Sequence, residues 1–132
     1  MKRITYVLIG ILVMLALPVS AQTTYTAIIP AGESLSSDVV LPATCYPSAI
    51  KISAAWTAAD LTFQVYVADG WGNRRDEYKG EVTVQVSAAT DVVDLPISQW
   101  YWVRSFRIRS GTAGTPVVQT AGRRLIVVCS AR

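Results

Sequence analysis

The sequence predicts an all-β chain: a single antiparallel β-sandwich, jelly-roll-like, of about eight strands, preceded by an N-terminal hydrophobic signal or anchor helix. Three observations predict it. Apolar and polar residues alternate in short runs, turn residues recur between those runs, and nothing after residue 21 carries a helical stripe. Short strands at this spacing point to a sandwich or jelly roll rather than to parallel βαβ units.

The leader comes first. Lys2 and Arg3 give a positive start, residues 4–17 are apolar and uncharged, and Pro18-Val19-Ser20-Ala21 ends in small residues of the kind cleaved by signal peptidase. Residues 1–21 are therefore expected to be a signal peptide, with residues 22–132 forming the sandwich domain. The alternative is an uncleaved anchor. As a helix, residues 4–19 would reach roughly 24 Å, short of a bilayer core of about 30 Å. Gly10 and Pro18 weaken it further. A membrane enters only if residues 4–19 are retained. Either way the domain is expected outside the cytoplasm: periplasmic, secreted or at the cell surface.

The strands follow in order. Residues 24–29 and 36–40 open the domain, and Ile50, Ile52 and Ala54 alternate with Lys51 and Ser53. In 61–67 the odd positions are apolar, and Val82, Val84 and Val86 alternate with Thr83 and Gln85. Segments 91–95, 102–109 and 124–129 complete the set. Such alternation puts one face on a core and the other towards water. Turn signals separate them at Pro30-Ala31-Gly32, Pro42, Pro47, Asp69-Gly70, Gly72-Asn73, Gly80, Pro96 and Gly111. A helical turn fits at 56–61 and another at 96–100.

Composition narrows the function classes. Without the leader 111 residues remain, enough for one domain with a real core. The whole chain carries +3, but without Lys2 and Arg3 the balance is 10 basic against 9 acidic residues. No concentrated basic face follows, so no nucleic-acid partner is expected. The chain has no histidine, which removes the usual base at neutral pH and most Ser-His and Cys-His schemes. Cys45 and Cys129 are the two cysteines. In an oxidising compartment they suggest one disulfide, closing a loop of about 84 residues worth about 4 to 5 kcal/mol on chain-entropy grounds. The alternative is two separate buried thiols. Two cysteines without histidine make a poor zinc site, and no metal or cofactor is expected.

Several groups are candidates for function. Asp76-Glu77 and Asp91/Asp94 are paired acids of the sort glycosidases use, although neighbouring loop acids are usually just solvated. Asp69, Asn73 and Asp76 supply oxygen ligands without a calcium-loop spacing. The excursion from Asp69 to Tyr78 mixes Trp71 and Tyr78 with Arg74 and Arg75. These are residue types that stack on sugar rings or anchor protein contacts. The alternative is a hairpin loop with Trp71 folded over a sandwich edge. Trp100, Tyr101 and Trp102 form a second aromatic cluster, fit either for ligand contact or for plugging the sandwich end. On strict alternation Trp102, Arg104, Phe106 and Ile108 share a phase, which places Arg104 inward. Arg107, Arg109, Arg123 and Arg124 form a basic stripe if their two strands are neighbours.

Two stretches carry a family resemblance. Ser53-Ala54-Ala55-Trp56-Thr57-Ala58-Ala59-Asp60-Leu61-Thr62-Phe63-Gln64-Val65 is one. The other spans 101–119, around Ile108-Arg109-Ser110-Gly111-Thr112 and Pro116-Val117-Val118-Gln119. Together with the Asp69-Gly70 turn they resemble a group of small tailed-phage virion-surface proteins, decoration or fibre-like β-sandwiches with a late I-R-S-G-T segment. The resemblance spans roughly residues 26–128. It implies a non-enzymatic component on the outside of a virion particle, a homo-oligomer or part of a larger assembly. No catalytic motif defines the group, so no site residues carry over. The second expectation is an exported carbohydrate-binding or adhesion module that applies the same loop aromatics to glycans.

Overall fold

The computed structural model describes residues 22–86 and 91–132; the leader lies outside the described residues. Eight strands and one helical turn follow in order: β1 (Thr23–Ile29), β2 (Val39–Val40), β3 (Cys45–Lys51), β4 (Leu61–Val67), β5 (Gly70–Asn73), β6 (Val92–Asp94), α1 (Ile97–Trp100), β7 (Ser105–Ser110) and β8 (Arg123–Ala131). They form two four-stranded antiparallel sheets, β1-β8-β3-β6 and β2-β7-β4-β5.

Alternation explains the layering. Leu61, Phe63 and Val65 of β4 face Phe106 and Ile108 of β7 along one inner face. Ala27 and Ile29 of β1, Ile50 of β3, and Leu125 and Val127 of β8 form the other. The two faces merge into one buried cluster closed by Trp56, Leu95, Trp100 and Val103. Cys45 and Cys129 share it and are bridged, with Cα atoms 5.7 Å apart, tying β3 to β8. That separation is normal for a disulfide, and the two-thiol alternative falls.

The structure revises several boundaries. The strand expected over 36–40 shrinks to Val39–Val40, with an isolated bridge from Leu35 to Arg109. Segment 82–86 makes only isolated bridges, although Val82 enters the core. Leu61 exchanges both backbone bonds with Val84, but the Phe63 carbonyl already accepts from the Arg74 amide. β4 therefore offers this segment no further ladder. The turn at 96–100 is helical, whereas 56–61 is not; there the Trp56 indole donates to the Ala59 carbonyl at 3.0 Å.

Two basic-residue expectations are corrected. β7 and β8 belong to different sheets, so Arg107 and Arg109 form no stripe with Arg123 and Arg124. Arg104 is exposed rather than inward, because the strand begins only at Ser105 and the phase breaks before it.

Candidate functional site

The excursion after β4 is two small hairpins, not one open loop. In the first, Val67 pairs with Gly70 and Tyr66 with Trp71, leaving Ala68 and Asp69 as a two-residue connection. Ala68 has φ 56°, the positive value that primed hairpin turns need. The turn thus sits one residue before the Asp69-Gly70 pair that marked it in the sequence. In the second, Arg75 bridges Glu81, and Asp76 Oδ1 accepts from the Tyr78 and Gly80 amides at 2.9 and 2.8 Å. Asn73 Oδ1 accepts from Arg109 at 2.9 Å. Two of the oxygens considered for calcium are therefore engaged in holding the turn and the sheet.

Trp71 lies on the outer face of the β2-β7-β4-β5 sheet, neither a free loop anchor nor a cap over an edge. Its ring packs edge-on against Tyr66, with centroids 5.4 Å apart. The Arg107 guanidinium, reaching from β7, sits 4.0 Å from the indole centroid and is held by Asp38 at 2.6 Å. An exposed cation over an indole is worth about 0.5–1 kcal/mol, and an exposed ion pair adds about 0–1 kcal/mol. Their joint effect is to fix the ring rather than to drive folding.

Trp100 is the main correction to the candidate set. It is fully buried, edge-on to Phe63 at 4.6 Å and to Phe106 at 5.8 Å, and it offers nothing to a partner. As the last residue of α1 it plugs the sandwich end. Tyr101 and Trp102 remain accessible, each 49% exposed. Tyr101 lies against Tyr46 and beneath Arg132, away from the other candidates.

Arg74 is a brace. Its guanidinium donates to the Gln99 carbonyl at 2.8 Å and the Arg75 carbonyl at 3.0 Å. It also stacks 4.9 Å from the Trp102 centroid and 5.8 Å from that of Trp100. Burial pulls its pKa below the ordinary arginine value, and nearby Asp76 pulls it back up. Arg75 is exposed and donates to the Lys79 carbonyl. Tyr78, 85% exposed, stands at the tip of the second hairpin.

The seven candidates thus separate. Arg74, Trp100 and Trp102 meet around α1, Trp71 joins a sheet face, Tyr101 lies with Tyr46, and Arg75 and Tyr78 share a hairpin tip. Tyr66 and Val40 are not among the residues the sequence singles out, whereas Arg107 and Arg104 are singled out in other settings, as part of a basic stripe and as an inward residue. The alternation of 61–67 already puts Tyr66 on the face opposite the core, so it was findable. Arg107 over Trp71 depends on which strands are neighbours and was not. Comparison with known protein families, curated proteins and solved structures finds no match.

Proposed function

We propose that this chain is a non-enzymatic structural and surface-display module, acting through oligomerisation and surface contact as the virion decoration or fibre components it resembles would. The observation that carries this reading is the outer face of the β2-β7-β4-β5 sheet. There Val40 lies beside Ser105, and Tyr66 lies beside a Trp71 clamped by Arg107. Rings held in place lose little freedom on contact, and Trp, Tyr and Arg concentrate contact energy.

Two further parts belong to the proposal. The first is export, for which the Cys45–Cys129 bridge is support, since such bridges persist in oxidising compartments. The second is jelly-roll connectivity, supported by the nested pairs β1–β8, β2–β7, β3–β6 and β4–β5. That architecture serves capsid and lectin domains alike, so it is a fold-level analogy and leaves the choice to the site.

Light scattering tests assembly. The native chain is expected to form an oligomer, and Val40→Lys or Trp71→Ala to weaken it without changing the circular dichroism spectrum. A native chain that stays monomeric across the micromolar range overturns assembly through this face.

A second reading, an exported carbohydrate-binding or adhesion module, is favoured by one observation. Tyr66 and Trp102, both about half exposed, line one cleft. Retention on a glycan array that is lost in Trp102→Ala supports it, and retention of no glycan overturns it.

A further inference from the structure

The cleft lies where the β4–β5 turn meets the stretch leading into β7. It measures about 370 Å³ and is lined by Tyr66, Val67, Trp102, Arg104 and Ser105, with the buried Val65 and Val103 adding apolar surface. Such a recess suits a small ligand more than a protein face. Two properties fit it for a ligand.

The first is a ring fixed in advance. Arg74 does not line the cleft. Its stack on the Trp102 indole therefore braces that ring from outside the recess, and its bonds to Gln99 and Arg75 hold the brace itself. The backbone beneath is pinned as well, since the Arg104 carbonyl accepts from the Leu41 amide at 2.8 Å. Trp102 can thus offer an aromatic surface at little entropic cost.

The second is an uncompensated charge. Among the described residues Arg104 is the only charged side chain lining the cleft, and its guanidinium has no hydrogen bond or ion pair. Arg107, Arg109 and Arg74 are all engaged. The Ser105 hydroxyl likewise makes no hydrogen bond among the described residues. A guanidinium fork with free donors matches a carboxylate in two parallel bonds.

We propose that this cleft binds an acidic saccharide, with the ring of a uronic acid against Trp102 and Tyr66 and its carboxylate on Arg104. The proposal rests on the carbohydrate-binding reading and adds the charge of the sugar to it. Aromatic side chains take the apolar face of a pyranose, while the guanidinium selects a carboxylated sugar over its neutral counterpart.

Calorimetry of the full chain with tetragalacturonate and with its methyl ester tests this. The acid is expected to bind at least ~10-fold more tightly than the ester, matching the worth of a charge-assisted hydrogen bond. Arg104→Gln, an exposed change that leaves the backbone bond to Leu41 intact, should abolish that preference and flatten the dependence on salt. Trp102→Ala should weaken both ligands. Equal binding of acid and ester, both lost in Trp102→Ala, overturns the acidic specificity while leaving carbohydrate binding standing. Binding of neither probe overturns the proposal, and silence across a neutral glycan array as well brings down the carbohydrate reading with it.

Discussion

Trp100 and Trp102 are two positions apart, and the fold uses them in opposite ways. Trp100 ends α1 and fills the space between Phe63 and Phe106, whereas Trp102 stays half exposed under Arg74. Trp100→Ala is expected to cost about 3–5 kcal/mol in urea unfolding, as emptied aromatic sites do. Trp102→Ala should cost less, about 1–2 kcal/mol, since half of the ring is already exposed and what it loses is partial burial and the contact with Arg74. That the cluster divides between inside and outside was legible in its density of aromatics beside one strand. Which ring goes inside was not. A strict alternation through 102–109 groups Trp102 with Phe106, but the strand starts at Ser105, and the helical turn before it resets the phase.

At the scale of elements, β4 has the bounds that its alternation and the turn signals after it predict, although Thr62 of the polar phase is buried and Val67 of the apolar phase is exposed. β5 was not readable, because three of its four residues, Gly70, Gly72 and Asn73, have weak strand preference, and only pairing with β4 makes it a strand. Segment 82–86 erred the other way. Its valines alternate cleanly, yet β4 has one free pairing position for it, so it packs without laddering. What fastens its start is Glu81, which accepts from Arg109 at 2.9 Å and from the Ala113 amide at 3.1 Å. Both side chains of that pair are largely buried. Arg109→Ala would leave the Glu81 carboxylate without its charge partner in a part-buried setting. It is expected to cost about 3 kcal/mol, read as a lowered urea midpoint with an unchanged slope.

For the whole molecule, the disulfide is the longest-range covalent constraint, joining residues 84 apart in sequence across neighbouring strands. Replacing both cysteines by alanine should remove about 4–5 kcal/mol. The melting temperature should then fall by more than about 10 °C, as calorimetry would show, while the β-sheet spectrum survives at low temperature. The same scale explains the missing basic stripe. Two strands that follow each other in sequence, β7 and β8, were assigned to different sheets, so arginines that look grouped in the chain face different surroundings.

Period-two patterning and turn residues act between near neighbours, and from them the all-β class, most strand positions and the outward place of Tyr66 could be read directly. The pairing of β1 with β8, which sets Thr23 against Cys129, is not written in any local pattern. Strand neighbours are chosen by the simultaneous burial of both inner faces, a condition on the entire chain at once. The meeting of Trp71 with Arg107, the bracing of Trp102 by Arg74 and the unpaired charge of Arg104 in its cleft all follow from that choice. They became visible only when distant segments were brought side by side.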